Sequence, residues 1–525
     1  MNRRNFLKQC MLAATGLTLS GCGRTTASRH QMKAGKHPGP PNIVLFLVDD
    51  MGWQDTSVPF HTETTDFNRR YRTPNMERLA RDGVKFTQAY ACCVCSPTRV
   101  SLMTGLNAAR HRVTNWTLRK NGSNDAKHAT LKMPAWNVNG LSPTPGIENT
   151  VHAVTLPMLL QQAGYHTIHA GKAHFGAVGT LGANPKNVGF DVNIAGHAAG
   201  GPGSYLGTRN FSAAWRSGDR IWDVPGLESY HGKDVFLTEA LTREANRAMD
   251  EAVAQDKPFY LYMSHYAVHV PFAEDSRFIR KYLDAGLDAK EAMYAAMVEG
   301  MDKSLGDIVA NLERHGIEND TIVLFMSDNG GLSASGRGGT PHTHNKPLSS
   351  GKGSSHEGGV RVPMMAHWPG VTKPGSACHE YVIIEDFFPT ILEMAGIEKY
   401  QQIGGKIDGV SFAPLLANAR GYPKNRALFW HFPNNWGPRG PGIGPHSAIR
   451  QGDWKLIYYH ATQTFELFNL TEDIGETQNQ IDTKPRVAQR LARKLKRFLL
   501  DVDAQMPTNK QTGKPVPLPE IGAVG

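Results

Sequence analysis

Short apolar runs alternate along the chain with longer stretches of helical periodicity. The run NIVLFLV at 42–48 is continuous and rich in β-branched residues, which is typical of a strand buried on both faces. Further short runs occur at 164–172, 257–265 and 320–331. Helical periodicity fills the stretches 235–255 and 290–316. This alternation predicts an α/β fold with a largely parallel sheet flanked by helices.

Prolines mark the start of two further helices. In TPNMERLARDG, Thr73 is the predicted cap, Pro74 lies in the first turn and Gly83 ends the helix. Pro97 similarly suits the first turn of a helix that continues to Gly105.

The pattern changes after about residue 415. SAIRQGDWKLIYYH at 447–460 predicts two strands around a Gln-Gly-Asp turn, and TFELFNLTED at 464–473 predicts another. An amphipathic helix is predicted over 485–506. We therefore divide the mature chain into a large α/β domain, 42–415, and a small C-terminal α+β subdomain, 416–525.

The N-terminal 22 residues have the pattern of a signal peptide, with a charged start, a short apolar run and small residues at the end. Arg3 and Arg4 resemble a twin-arginine export signal, and a plain basic signal start is the alternative. LSGC at 19–22 resembles a bacterial lipobox, which implies cleavage before Cys22 and lipidation of its sulfur. Residues 23–41 are polar and read as a tether. We expect a periplasmic or cell-surface lipoprotein, anchored to a membrane surface without crossing it.

Composition fits an exported globular protein. The 525 residues are 40% hydrophobic and 20% charged, and the net charge of +10 favours anionic partners. The basic residues are spread along the chain, so nucleic-acid binding is not expected. Six cysteines are present, at 10, 22, 92, 93, 95 and 378. CCVC lacks the C-x-x-C spacing of a zinc knuckle, whereas a disulfide with Cys378 remains open.

Cys95 has the neighbours of a reactive group. It lies at the predicted helix start, where free N–H groups favour an anion and lower the pKa of a thiol. Arg99 is four residues on and can share that helix face. Together they suit nucleophilic work on an anionic group. The alternative is a buried structural cysteine with a surface arginine.

Acidic and amide side chains stand at two predicted strand ends. Asp49 and Asp50 follow the first strand, and Asp328 and Asn329 follow the strand TIVLFMS. Oxygen ligands of this kind suit Ca²⁺ or Mg²⁺ better than zinc. Taken alone, each pair is more often a turn or a helix cap.

Two longer motifs point to a family. Cys95-Ser96-Pro97-Thr98-Arg99, followed by Met103-Thr104-Gly105, resembles the C-x-P-S/T-R…L-T-G signature of the formylglycine-dependent type I sulfatases. GYHTIHAGKAH at 164–174 resembles the second signature of that family. The resemblance extends over roughly 42–500. It implies an alkaline-phosphatase-like fold with a large α/β domain and a small C-terminal sheet domain.

The resemblance also implies a chemistry. A maturation enzyme would convert Cys95 to formylglycine, whose aldehyde hydrates to a geminal diol. One hydroxyl attacks sulfur and the alcohol of the substrate leaves. The other hydroxyl then loses a proton, and sulfate is expelled as the carbonyl re-forms. Asp49, Asp50, Asp328, Asn329 and the formylglycine at 95 would hold one Ca²⁺ (or Mg²⁺) per chain.

Roles for the cationic residues follow from the same resemblance. Arg99 would steady the formylglycine, and Lys172, His269 and Lys352 would hold sulfate oxygens or assist the leaving oxygen. His174 would take the proton that releases sulfate. His265 competes with His269, but VHVP is closer to the family's P-H-x-P.

Three residues are candidates for substrate binding. His197 lies in the Gly-rich stretch 193–207, and His446 and Arg450 lie in or beside the aromatic stretch 430–450. The alternative for each is a purely structural loop residue. Our hypothesis is hydrolysis of a sulfate ester on a polysaccharide or glycosaminoglycan fragment. The alternatives are a phosphate or phosphonate monoester hydrolase of the same superfamily, and a non-catalytic carbohydrate-binding lipoprotein.

Overall fold

The computed structural model describes residues 39–216, 218–334, 336–397 and 405–522. The predicted signal peptide, the lipid attachment at Cys22 and most of the predicted tether lie outside these residues and stay predictions. None of the helices in the described ranges is long and apolar enough to cross a membrane.

Helices and strands alternate over most of the chain. The α-helices are α1 Asp66–Arg70, α2 Pro74–Asp82, α3 Cys95–Thr104, α4 Ala108–His111, α5 Leu156–Gln162, α6 Leu237–Ala254, α7 Ile279–Asp284, α8 Ala289–His315, α9 Glu357–Val360, α10 Phe387–Met394, α11 Ala413–Leu416 and α12 Pro485–Asp501. The strands are β1 Asn42–Val48, β2 Val84–Tyr90, β3 Leu131–Lys132, β4 Gly140–Ser142, β5 Thr150–His152, β6 His166–Gly171, β7 Val192–Ile194, β8 Phe259–Ser264, β9 Thr321–Ser327, β10 Arg361–His367, β11 Ser376–Cys378, β12 Val382–Ile383, β13 Ala427–Phe432, β14 His446–Gln451, β15 Trp454–Tyr459, β16 Phe465–Asn469 and β17 Thr508–Asn509.

The large sheet has nine strands in the order β11-β2-β10-β9-β1-β8-β6-β7, with β12 also paired to β2. Within this sheet β10 alone runs antiparallel to its neighbours, so the sheet is mixed but mostly parallel. The predicted α/β architecture is confirmed. Because parallel strands end at one edge, the loops after β1, β6, β8 and β9 meet there.

The central strand β1 shows why the sheet forms. Its alternate residues enter two different hydrophobic clusters, Ile43, Leu45 and Leu47 in one and Val44, Phe46 and Val48 in the other. All six are fully buried. A continuous apolar run is therefore needed, because helices cover both faces of the strand.

The helix α2 begins and ends where its sequence predicts, but the cap differs. Thr73 occupies the N-cap position without a side-chain bond to the helix. Its hydroxyl instead contacts the hydroxyls of Thr56 and Ser57, each at 2.8 Å. At the other end, a Cβ on Gly83 would lie 2.2 Å from the carbonyl oxygen of Ala366 in β10. This glycine allows the close approach of helix and sheet.

The second sheet is antiparallel and has the order β13-β14-β15-β16. Leu491, Leu495 and Leu499 of α12 pack with Ile449 and Leu456 of this sheet in a third cluster. The strands and the amphipathic helix predicted for this region are confirmed. The boundary at 415/416 stays a prediction, since the described residues belong to one compact unit.

A buried ion network joins the two sheets. The ammonium of Lys455 in β15 lies 2.6 Å from Glu357 Oε1 in α9 and 3.0 Å from Glu476 Oε1. Glu476 Oε2 also accepts a hydrogen bond from the backbone N–H of Glu357 at 2.6 Å. All three side chains are fully buried. The network therefore fixes the small sheet against the segment that precedes β10.

Lys455→Met should lower the free energy of unfolding by about 3 kcal/mol, because it removes the buried cation that Glu357 and Glu476 share. Each carboxylate keeps one other basic neighbour, Arg361 at 3.1 Å and His356 at 3.2 Å. Urea denaturation followed by circular dichroism measures this. Lys496→Met is the matched control, since Lys496 pairs with Glu520 at the surface and such pairs contribute about 0–1 kcal/mol. Equal losses in the two variants would contradict a stabilising role for the buried network.

Candidate functional site

Chemically active side chains converge at the carboxyl edge of the large sheet. Asp49 and Asp50 directly follow β1, and Asp328 directly follows β9, its immediate neighbour in the sheet. Lys172 follows β6, and Cys95 is the first residue of α3. Lys352 reaches the same edge because it precedes the antiparallel strand β10.

A cluster of oxygen ligands forms the centre of the site. One ligand atom from each of Asp49, Asp50, Cys95 and Asp328 lies within 4.8 Å of the others, and all four residues are buried. Asp50 Oδ2 and Asn329 Oδ1 are also buried and have no hydrogen-bond partner among the described residues. Buried oxygens without a partner are costly unless a cation binds them. The four oxygen-bearing residues therefore fit a hard divalent cation such as Ca²⁺ or Mg²⁺.

Each carboxylate of the cluster has its own cation. Lys172 Nζ lies 2.6 Å from Asp49 Oδ2, and Lys352 Nζ lies 2.6 Å from Asp50 Oδ1. Arg99 donates Nε and Nη2 to Asp328 Oδ2, at 3.0 and 2.7 Å. Each of the three buried carboxyl groups thus has a basic partner, which makes the burial of these groups tolerable.

The three carboxyl groups differ in proton affinity. Burial raises the pKa of Asp49 well above its usual value, and the charge of Asp328 adds to this. Burial also acts on Asp50 and Asp328, but the nearby ammonium of Lys352 and guanidinium of Arg99, respectively, outweigh it and lower the pKa of each. Two of the three carboxylates are therefore held firmly in the charged form that a cation needs.

Cys95 lies among these charges, yet its thiol is not activated. Its Sγ is 3.3 Å from Lys352 Nζ and 3.5 Å from Asp49 Oδ1. Burial raises the thiol pKa to about 12, although Lys172 and Lys352 oppose the change. The expectation of a lowered pKa at the helix start was wrong, because burial outweighs the two nearby ammonium groups and Arg99 is directed to Asp328.

Several contacts fix the helix that carries Cys95. Thr98 Oγ1 accepts a hydrogen bond from the backbone N–H of Cys92 at 2.9 Å, which holds the turn before the helix. Gly105 ends the helix in the left-handed region at φ 68°, where a Cβ would lie 2.9 Å from Ile407. No disulfide joins Cys378 to this segment, and Cys92, Cys93 and Cys95 are free and buried within the described ranges.

Ser264 is a site residue that the sequence reasoning missed. Its hydroxyl donates to the carbonyl of Lys172 at 2.7 Å, and Arg99 Nη1 donates to the same carbonyl at 3.0 Å. Ser264 thereby links the ends of β6 and β8 and positions Lys172. The available signal was its place as the last residue of the strand FYLYMS, where a polar side chain follows five buried ones.

Two histidines complete the edge of the site. His269 Nε2 lies 3.8 Å from Asp50 Oδ2, and its Nδ1 donates to the carbonyl of Val270 at 2.7 Å. His174 Nε2 donates to the carbonyl of Thr117 at 2.9 Å, so its buried Nδ1 is the free acceptor. Burial lowers the pKa of His269 to about 3 and that of His174 well below its usual value. The competing candidate His265 instead contacts Ser304 in α8 at 2.9 Å.

The three substrate-binding candidates occupy different places. His197 accepts a hydrogen bond on its carbonyl from the backbone of His174 at 3.2 Å, so it borders the site. His446 is fully buried, with Nε2 2.6 Å from Ser355 Oγ, and supports the loop that carries Lys352. The structure does not bring Arg450 to the site. It stacks on Tyr90 and Tyr381 beside a separate cavity of about 320 Å³.

Trp436 lies in the loop between β13 and β14 and contacts the loop that carries Lys352 and Gly353. Lys352 Nζ lies 5.8 Å from the centre of its ring. A Cβ on Gly353 would lie 2.4 Å from the same ring. A cation over an aromatic face is stabilised in such an arrangement. The C-terminal part of the chain therefore closes over Lys352.

Comparison with known proteins agrees with this geometry. The family model "Sulfatase" matches residues 41–397, and the model "N-sulphoglucosamine sulphohydrolase, C-terminal" matches 351–505. A sulfatase of Formosa agariphila is 31% identical over 92% of this chain and 93% of its own length. The mouse N-acetylgalactosamine-6-sulfatase is 30% identical over 84% of this chain and 76% of its own.

A comparison with solved structures also finds a similar fold. The crystal structure of Ps i-CgsB in complex with k-i-k-neocarrahexaose superposes with a TM-score of 0.68 at 26% identity. The match covers 91% of this chain and 95% of that one. Family model, relatives and fold thus agree with the site geometry, and the chain belongs to the sulfatase family of sulfuric ester hydrolases.

Proposed function

We propose that this protein removes sulfate from a sulfated saccharide, with Cys95 converted to formylglycine as the nucleophile. One observation carries the proposal. The side chain of Cys95 lies within hydrogen-bonding reach of Lys352 and Asp49, and its sulfur belongs to the buried ligand cluster with Asp50 and Asp328. A group at residue 95 is therefore placed inside the charged cluster, at the position where the Cys-Ser-Pro-Thr-Arg motif implies the nucleophile.

The divalent cation would be held by Asp49, Asp50 and Asp328, whose oxygen atoms lie within 4.8 Å of one another. Asn329 would join them, since its Nδ2 donates to Asp50 Oδ1 at 2.8 Å and its Oδ1 is buried without a partner among the described residues. When bound, Ca²⁺ or Mg²⁺ supplies a Lewis acid that polarises the sulfate ester. Arg99 keeps Asp328 charged and oriented through its two hydrogen bonds. We assign Arg99 this positioning role.

The lysines and histidines supply charge and proton transfer. Lys172 and Lys352 are fixed cations on either side of the cluster and would stabilise charge that builds on sulfate oxygens. His269 and His174 are neutral in the resting site. An anionic sulfate beside His269 would raise the proton affinity of its ring, so that Nε2 would take a proton from solvent and pass it to the leaving oxygen. His174, with Nδ1 free, would accept the proton whose loss releases sulfate.

The saccharide class is supported by the relatives. The mouse relative is an N-acetylgalactosamine-6-sulfatase, and the superposed structure Ps i-CgsB holds k-i-k-neocarrahexaose. The basic net charge of +10 suits a polyanionic substrate. We further propose export and anchoring to a membrane surface through lipid on Cys22, which would place the enzyme where such polymers are met.

Sulfate release from defined saccharides tests the proposal. The protein is produced together with a formylglycine-generating maturation enzyme and incubated with N-acetylgalactosamine 6-sulfate, carrageenan oligosaccharides and chondroitin sulfate oligosaccharides. We expect ion chromatography to detect free sulfate from at least one of them. No release from any sulfated saccharide would contradict the proposed substrate class.

Matched aryl esters separate sulfatase from phosphatase chemistry. We expect kcat/KM on 4-nitrophenyl sulfate to exceed that on 4-nitrophenyl phosphate and on phenylphosphonate esters by at least about tenfold. A higher kcat/KM on either phosphorus ester would favour the phosphate or phosphonate hydrolase alternative. Inactivity on all three, together with saccharide binding, would favour the non-catalytic alternative.

A further inference from the structure

The glycine-rich stretch at 193–207 packs against the catalytic histidines. A Cβ on Gly200 would lie 2.3 Å from the ring of His174, and one on Gly201 would lie 2.9 Å from the ring of His269. Neither position has room for a side chain. The segment that begins here is therefore placed directly against the residues that would handle the proton transfers.

Trp215 is held at the outer end of this segment. Its indole Nε1 donates to the carbonyl of Gly203 at 2.9 Å, while 49% of the residue remains exposed. A Cβ on Gly203 would lie 2.3 Å from the backbone nitrogen of Ala213, so the two chain segments are in direct contact. Because consecutive Cα atoms are about 3.8 Å apart, Gly203 is at most about 8 Å from Gly201. An exposed aromatic ring is thus anchored to the segment that contacts the catalytic histidines.

Two guanidinium groups flank the indole ring. Arg209 lies over the ring with Cζ 4.5 Å from its centre, and Arg216 Cζ is 6.0 Å from it. Arg216 also donates Nη2 to the carbonyl of Pro202 at 3.2 Å, which ties it to the same segment. Among the residues that the structure describes, neither arginine forms an ion pair with a carboxylate. The surface therefore combines one apolar ring with two cations available to an anion.

We propose that Arg209, Trp215 and Arg216, the Trp215 platform, bind an anionic sugar residue adjacent to the one that loses sulfate. The indole would stack on the apolar C–H face of the sugar ring through the face that Arg209 does not cover. The guanidinium groups would bind its sulfate or carboxylate oxygens, for which their fork geometry is suited. The platform rests on the proposed function and deepens it, because it makes the enzyme selective for oligosaccharides over isolated sulfated sugars.

Trp215→Ala tests the platform by comparing long and short substrates. A κ-carrageenan hexasaccharide and a chondroitin 6-sulfate hexasaccharide extend beyond the reacting sugar, whereas 4-nitrophenyl sulfate does not. We expect Trp215→Ala to raise KM about tenfold or more for the hexasaccharide that the wild type desulfates. Its kcat/KM on 4-nitrophenyl sulfate should stay within about twofold of wild type.

Two further variants separate stacking from charge. Trp215→Phe keeps an aromatic face and should recover most of the loss. Arg209→Gln combined with Arg216→Gln should lower hexasaccharide kcat/KM about tenfold and weaken its dependence on salt. Leu500→Ala, which removes an exposed apolar side chain on α12, is the control. It should leave kcat/KM unchanged on the hexasaccharide and on 4-nitrophenyl sulfate.

The outcomes distinguish the platform from the proposed function. An unchanged hexasaccharide KM in Trp215→Ala, or an equal loss on 4-nitrophenyl sulfate, would overturn the platform while wild-type desulfation still supports the function. If wild type desulfates neither hexasaccharide, titration calorimetry with the inactive Cys95→Ala protein decides. If the hexasaccharide binds and the added Trp215→Ala substitution weakens that binding, the platform is supported although the proposed function is not. If the hexasaccharide does not bind, both proposals are rejected.

Discussion

Cys95→Ala is expected to abolish sulfate ester hydrolysis, by about four orders of magnitude or more, with the fold unchanged. Removing the nucleophile of a hydrolytic enzyme typically has an effect of this size. The side chain is small and buried, so its loss leaves only a small cavity, and the helix α3 retains its bonds through Thr98 and Arg99. Sulfate release measured by ion chromatography and thermal unfolding of the same preparation check both halves of this prediction.

Cys92→Ala is the matched control, because Cys92 is a buried free cysteine three residues earlier whose sulfur lies 4.0 Å from Ser101 Oγ. It should keep activity within about threefold. Mass spectrometry of the peptide that contains residues 92–99 adds an independent readout. Protein made with the maturation enzyme should carry an aldehyde in place of the thiol at residue 95 and intact thiols at 92 and 93. An unmodified thiol at 95 in fully active enzyme would exclude the formylglycine mechanism.

The fold was readable from the sequence because its strands are buried on both faces. Continuous apolar runs such as NIVLFLV are typical of strands in a sheet covered on both faces, so β1, β6, β8 and β9 were predicted correctly. The other five strands of the large sheet and the order of the strands were not predicted. The direction of β10 was not predictable in the same way. RVPMMAH is also a buried run, but its antiparallel course depends on a long loop over residues 328–356 that has no periodicity of its own.

The candidate site was partly predictable for a related reason. Residues directly after strands, such as Asp49 and Asp328, are brought together by sheet geometry alone. Lys352 and Trp436 approach through loops, and their contact depends on packing between the two sheets. The thiol pKa of Cys95 was mispredicted because local sequence shows the helix start but not the depth of burial. Arg450 was chosen as a candidate because it lies in the aromatic stretch 430–450, but its side chain lines a different cavity.

Removing the divalent cation should have the second largest effect. We expect chelation with EDTA to lower kcat/KM about a thousandfold, because the sulfate ester loses its Lewis acid, and addition of Ca²⁺ or Mg²⁺ to restore it. Because the ligands are buried carboxylates, the cation should also change the stability of the fold in the absence of substrate. Saturating cation at a hundred times its Kd should stabilise the fold by about 2.7 kcal/mol, seen as a rise in Tm.

Asp50→Asn identifies the site of that cation. The amide keeps the shape of the side chain and an oxygen that can accept from Lys352, but it removes the buried negative charge that lies 2.6 Å from the ammonium. Cation affinity should fall about a hundredfold, so that the Tm rise and the metal content measured by mass spectrometry are both lost at low cation concentration. Asp302→Asn is the control, since Asp302 is a buried carboxylate bonded to the backbone of Asn75 and Met76 outside the site. The cation raises Tm only in a protein that still has its ligands, so the variant that loses the Tm rise identifies the binding site. If the rise persisted in Asp50→Asn and disappeared in Asp302→Asn, the cation would bind near Asp302 and not in the cluster.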